Sequence, residues 1–284
     1  MTGKISLLSG RKVLVDGERT NLPFTGDGES YYIYNAGRYT VLKTEFGLEI
    51  RWNGHFNWFV HIPGSYHNQI CGLCGKWDGD KSNDFTLRDK STTKFANKFG
   101  NNWVASGYGC SGEKPPDEAG PDDPCGRAKF KAEAAKQCNI LKNKNGPLKS
   151  CFGVMDDEVY LKTCQEDVCL AKEGGASKDE ISSIRCTSVS SFVDECLDAG
   201  VGIAKWRSNK LCPMKCGKHA RYNLRMSSCQ ETCTGKPKKC KEQKIEGCEC
   251  EKGYVLSGDD CVDEKQCGCT DESDGKYYKA RRNI

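Results

Sequence analysis

The placement of cysteine constrains this chain more than any other feature. Of its 284 residues 20 are cysteine, only Cys71 and Cys74 precede residue 110, and the other eighteen lie between Cys110 and Cys269. Density of this kind points to disulfides in an oxidising compartment, because small modules with thin cores need cross-links. The zinc alternative needs paired C-x-x-C or Cys/His knuckles at regular spacing. A single C-x-x-C occurs, and the four histidines (His55, His61, His67, His219) are scattered. The chain therefore reads as secreted and extracellular. Yet it opens MTGKISLLSGRKVLVDGERT, without the apolar segment of a signal peptide. An interior fragment of a longer secreted protein, or an incomplete gene model, is the expectation that reconciles the two.

No stretch approaches transmembrane length, so no membrane span is expected. The net charge is +4 with both signs interleaved. The most basic run, TGKPKKCKEQK, reads as a solvated loop rather than a nucleic-acid patch, and no nucleic-acid partner is expected. The sequence holds no N-x-[ST] glycosylation acceptor.

The lone C-x-x-C stands in CGLCGKWDGD, residues 71–80, and leaves three readings open. It can be a thiol–disulfide redox pair, half of a zinc site, or structural half-cystines beside a cation-binding loop. A reactive pair needs a lowered thiolate pKa from a helix N-terminus or a nearby cation. Here the pair follows a strand and Lys76 is the close cation, which favours the structural reading. Downstream, Asp78, Asp80, Ser82, Asn83 and Asp84 alternate like a calcium loop, with Gly79 permitting a tight turn.

Residues 1–70 read as strands. RKVLVDGERT carries an Asp16-Gly17 turn signal. In GLEIRWNGHFNWFVHI, Leu48, Ile50 and Trp52 alternate, Asn53-Gly54 turns, and Phe56, Trp58, Val60 and Ile62 alternate again, a hairpin with one buried face. Residues 111–124, SGEKPPDEAGPDDP, form a linker. Helical spacing follows, with a Ser177/Glu180 capping box and a Gly200 stop, so residues 125–212 read as a helical module whose eight cysteines can close on themselves. Beyond Cys212 periodicity vanishes, and cross-links rather than a core are expected to fix the chain.

These segments together resemble a known tandem. CGLCGKWDGDKSNDF with FANKFGNNWVASGYGC resembles the C-terminal half of a von Willebrand factor type D domain. The stretch ending AKWRSNKLC resembles the eight-cysteine module that follows it, and CGKHARYNLRMSSCQETC with EGCECEKGYVLSGDDCVDEKQCGC resembles a trypsin-inhibitor-like module. The implied organisation is a partial D domain (1–110), a linker (111–124), the helical module (125–212), the inhibitor-like module (213–267) and the start of a further module (268–284). The implied fold is multi-domain and disulfide-rich: a partial β-sandwich, then a small α-helical cysteine-rich module, then a knotted, loop-rich module.

The resemblance also implies site residues. Cys216 would pair with Cys248, Cys229 with Cys240, Cys233 with Cys267, and Cys250 with Cys261. Cys71, Cys74 and Cys110 would pair with upstream cysteines absent here, leaving them and Cys269 unpaired or free for intermolecular bonds. One family disulfide is missing as a pair, with Arg225 and Lys244 at its two positions. Calcium would be bound by Asp78, Asn83 and Asp84 with the Asp80 carbonyl, although Lys76 stands where the family has asparagine. The function implied is non-enzymatic, structural and adhesive, as in zonadhesin-like, mucin-like and tectorin-like proteins. Its partners would be extracellular proteins or glycoproteins, or further copies of itself in disulfide-linked multimers. A secreted serine protease inhibitor presenting Lys244 in CKEQKIEGC is the alternative; lipid-transport proteins carrying a D domain fit less well. No catalytic motif such as G-x-S-x-G or H-E-x-x-H is present.

Overall fold

The computed structural model describes residues 4–55, 57–104, 125–271 and 276–280; Cys110 and the expected linker at 111–124 lie outside them. Strands β1 (Ile5–Leu8), β2 (Lys12–Val15) and β3 (Glu18–Thr20) form an antiparallel meander. Asp16 and Gly17 turn β2 into β3 with φ of 52° and 87°, the two positive values that a two-residue hairpin of this twist requires. A second antiparallel sheet runs in chain order through β4 (Phe24–Thr25), β5 (Tyr31–Ala36), β6 (Tyr39–Thr44), β7 (Glu49–Trp52) and β8 (Trp58–His61). Ile5, Leu7, Val13 and Val15 of the first sheet share a core with Ile33, Leu42 and Ile50 of the second, which is the partial sandwich.

The β7–β8 hairpin departs from its sequence pattern in two ways. Residues 53–57 connect the strands, with the Asn53 side chain accepting from the His55 and Asn57 amides, so Asn53-Gly54 is not a two-residue turn. Trp52 is buried as expected, but Trp58 and Val60 on the same face are 55% and 53% exposed, and Arg51 on the opposite face is buried. The reason is positional. β8 is the edge strand, beyond the cover of the first sheet, while the opposite face of β7 is closed over by other parts of the chain.

Residues 62–104 belong to a second compact unit, separate from that of the strands. It contains α1 (Ala96–Asn102), where Phe99 stacks on Phe85 with ring centroids 4.8 Å apart. Arg88 donates to the Asn102 carbonyl at 2.8 Å and lies over the Trp103 ring, tying the end of the helix to the loop before it.

The strands up to His61 share the first unit with residues 125–280. Its helices are α2 (Ala128–Gln137), α3 (Asp157–Glu173) and α4 (Lys178–Asp198). Ser177 and Glu180 form the reciprocal capping box, and Gly200, at φ 79°, closes α4 while Val201 N donates to the Cys196 carbonyl. The eight cysteines close on themselves as Cys125–Cys169, Cys138–Cys164, Cys151–Cys196 and Cys186–Cys212, packed with Val189, Phe192 and Val193.

The remaining strands are β9 (Ala220–Ser227), β10 (Lys244–Cys250), β11 (Tyr254–Ser257), β12 (Asp260–Asp263), β13 (Cys269–Thr270) and β14 (Tyr277–Tyr278), paired as three hairpins. Here the expectation that cross-links alone fix the chain is corrected. Met226 of β9 and Ile245 of β10 are buried in one cluster with Tyr34, Ala36, Tyr39 and Val41 of the large sheet. This region lacks a core of its own and completes one with β5 and β6. Those two strands are therefore buried on both faces, with Ile33 turned to the first sheet and Tyr34 to β9–β10.

Candidate functional site

The place where sheet, helices and inhibitor-like strands meet carries most of the buried charge. Helix α4 ends with Asp194, Glu195 and Asp198 and has no basic residue in its last turn. Carboxylates there oppose the helix dipole, and the 194/198 pair at i,i+4 repels itself. The large sheet supplies the missing positive charge. Arg51 Nη1 bonds Asp198 at 2.5 Å, its Nε bonds Glu49 at 2.7 Å, and its Nη2 donates to the Gln243 side chain at 2.8 Å. Arg38 and the Tyr39 hydroxyl both bond Asp194. A second cluster joins α4 and its following segment to β9 and β10: Arg207 grips Glu246 with two bonds of 2.8 Å, Tyr222 donates to the same carboxylate at 2.6 Å, and Arg207 also reaches Ser190. The backbones also touch, since a Cβ on Gly247 would sit 2.7 Å from the Cα of Gly37.

Burial dominates the protonation of this junction. It raises the Asp194 carboxyl above the ordinary carboxylate range, against the opposing pull of Arg38. It lowers the His61 imidazole, with the Arg51 charge acting in the same direction.

None of these junction residues stands out by motif. The signal available in the sequence was a charged residue inside an apolar stretch, as in EIRWN for Arg51 and KIEGC for Glu246.

The residues singled out from sequence fall elsewhere. Cys216–Cys248, Cys229–Cys240, Cys233–Cys267 and Cys250–Cys261 are bonded, with Cα separations of 5.4–5.8 Å. Cys71, Cys74 and Cys269 are unbonded and exposed. The CGLC pair lies on a turn, with Gly75 N donating to the Gly72 carbonyl, rather than at a helix N-terminus. Among the described residues no three His, Cys, Asp or Glu side chains gather as a metal cluster. The acidic loop instead brings Asp78, Asp80 and Asn83 together, the Asn83 amide donating to Asp78 at 2.8 Å and to Asp80 at 3.3 Å. Asp84 accepts from the Lys76 amide at 3.1 Å. Asn83 Oδ1 is buried without a hydrogen-bond partner among the described residues.

Lys244 begins β10 opposite Ser227, and Ile245, Glu246 and Gly247 after it are buried. CKEQKIEGC is thus divided between an exposed lysine-rich turn and a docked strand. No helix is long and apolar enough to cross a membrane among the described residues.

Comparison with known proteins follows the same order along the chain. Residues 2–91 match the von Willebrand factor type D domain, residues 137–213 the C8 domain, and residues 210–267 the trypsin-inhibitor-like cysteine-rich domain. The chain is 32% identical to zonadhesin of Sus scrofa over 278 residues, covering 97% of this chain and 11% of that protein. It is 31% identical to the IgGFc-binding protein of Homo sapiens, covering 99% and 5% respectively. With alpha-tectorin of Homo sapiens it shares 30% identity, covering 94% and 12%. It spans a small part of the length of each.

Proposed function

From a chain that belongs to the von Willebrand factor type D assemblies, with D, C8 and trypsin-inhibitor-like domains in that order, we propose a non-enzymatic, structural and adhesive function within a larger extracellular protein. The eight disulfides fit the oxidising extracellular setting. Arg51 is the observation that carries the reading: its guanidinium bonds a residue of each of the three regions, Glu49, Asp198 and Gln243. A buried charge satisfied only when all three are docked makes them one block, suited to bearing load and presenting a fixed surface. Pulling the chain from residue 4 and residue 280 should free the β-sheet and the β9–β10 hairpin in a single event. Separate, successive releases would contradict it.

Exposed Cys71, Cys74 and Cys269 are available for bonds to other chains, and zonadhesin-like adhesion partners would be extracellular proteins or glycoproteins. Non-reducing electrophoresis of the secreted protein and of Cys269→Ser tests the linkage. The protease-inhibitor alternative draws less support: an inhibiting loop exposes the residues on both sides of its contact lysine, and here Ile245, Glu246 and Gly247 after Lys244 are buried.

Calcium is proposed as a structural ligand of the acidic loop. Two carboxylates converge on Asn83, whose orphaned Oδ1 is the kind of hard oxygen that cation takes. Asp78, Asp80 and Asn83 would hold it, and Asp84 would brace the Gly75–Lys76 turn. Calcium titration by calorimetry should give binding that Asp78→Asn weakens; equal heats with the variant would contradict the assignment.

A further inference from the structure

The lysine-rich turn between β9 and β10 reads from sequence as a solvated loop, and its geometry adds two facts. The first is rigidity. The Cys229–Cys240 disulfide closes it, Pro237 is buried, and Cys240 N donates to the Pro237 carbonyl. Ser228 Oγ donates to the Lys241 carbonyl at 3.0 Å and accepts from Gln243 N at 3.0 Å. Lys239 sits at φ 55°, in the left-handed region that residues other than glycine occupy uncommonly.

The second fact is unspent charge. Five lysines, Lys236, Lys238, Lys239, Lys241 and Lys244, stand exposed within nine residues. Lys238 is paired with Glu29 at 2.5 Å and Lys244 with Glu242 at 3.3 Å. Lys236, Lys239 and Lys241 form no direct ion pair among the described residues; the Glu242 and Glu29 carboxylates act on Lys236 and Lys239 only through space, which leaves the turn a surplus of positive charge.

We infer that this turn is a docking site for sulfated polysaccharide, with Lys236, Lys239 and Lys241 as the binding charges. A fixed backbone lets the three ammonium groups meet a linear polyanion without first ordering the loop. The gain comes mainly from counterions released by the polyanion, the same physics that governs other linear polyelectrolytes. A membrane surface fits less well, since the turn exposes no aromatic or aliphatic side chain to enter the interface. A single-stranded nucleic acid fits less well for the same reason, as no ring is offered for base stacking. The inference rests on the extracellular setting of the proposed function and not on the load-bearing role.

The test uses the whole chain and immobilised heparin as probe. The expected result is retention that weakens with salt, with a slope of log K against log salt of about −2 to −3 for three contacts. Replacing Lys236, Lys239 and Lys241 by Gln should lower affinity by about tenfold or more at physiological salt while the melting temperature and protease resistance stay unchanged. That unchanged stability separates this test from failure of the docked block. Replacing Lys129, Lys131 and Lys136 of α2 by Gln removes equal charge and should leave affinity nearly unaltered. Equal affinity of the triple variant and wild type would overturn the inference. So would equal loss in the α2 variant, equal binding of desulfated heparin, or binding to phosphatidylserine vesicles alone.

Discussion

Arg51 and Asp198 are 147 residues apart in the chain and 2.5 Å apart in the fold. Their bond resolves a defect that α4 carries by itself, a carboxylate on its last residue at the negative end of the helix dipole. The sheet thus supplies what a cationic last turn supplies in other helices. Removing Arg51 takes the guanidinium from two half-buried carboxylates, Asp198 and Glu49, and leaves Asp198 at the helix end without its partner. Arg51→Ala should destabilise the first unit by about 3–5 kcal/mol, read as a shift in denaturant midpoint. Asp198→Asn in the same chain should recover part of that loss; no recovery would mean that Arg51 acts by packing alone.

The Arg207–Glu246 pair makes a sharper case, because the Glu246 side chain is fully buried. Glu246→Ala should cost about 3–5 kcal/mol, whereas the apolar pair Arg207→Met with Glu246→Leu should cost much less. A double-mutant cycle measures the difference. If the double variant is as unstable as the single, Ser190 and Tyr222, left without their partner, outweigh the pair itself.

The contact of Gly247 with Gly37 admits no side chain. Gly37 has φ 55°, and a Cβ on Gly247 would also meet Met226 Sδ at 2.7 Å. Gly247→Ala should therefore destabilise by about 1–3 kcal/mol through overpacking. Gly253→Ala, where nothing lies within 4 Å of the added carbon but φ is 90°, serves as a backbone-strain control. A neutral Gly247→Ala would show that β10 and the β5–β6 turn do not pack this closely.

His61 gives the block a pH dependence of definite sign. Burial and the Arg51 charge lower its folded pKa, with Glu49 and Asp198 pulling the other way. A lowered folded pKa means that the unfolded chain binds the proton more readily. Stability is then present above the ordinary histidine pKa, about 6.5, and is lost as pH falls through the folded value. Unfolding midpoints at about pH 7.5 and about pH 5 should differ more in the wild type than in His61→Gln. Parallel profiles would remove His61 from the junction.

The helical module was legible because its signals are local: Ser177 with Glu180, Gly200, and cysteines at helical spacing all act within a few residues. So was the Asp16-Gly17 turn. Trp58 and Val60 misled because alternation shows which side chains share a face, while the position of β8 at the sheet edge determines whether that face is covered. The junction was invisible for a different reason. Arg51, Asp198 and Gln243 become partners only after three regions dock, and no spacing rule connects positions so far apart. The reading of the chain beyond Cys212 as held by cross-links alone missed Met226 and Ile245 because their core neighbours, Tyr34 and Val41, lie in another domain.

The most direct measurement of the docked block is native-state amide hydrogen exchange across the described strands and helices at rising denaturant. If sheet, α4 and β9–β10 are one cooperative unit, amides of β5–β6, of the last turns of α4 and of β10 should converge on one opening free energy. Exchange of β5–β6 through an opening that leaves α4 and β10 protected, at a distinctly lower free energy, would contradict it.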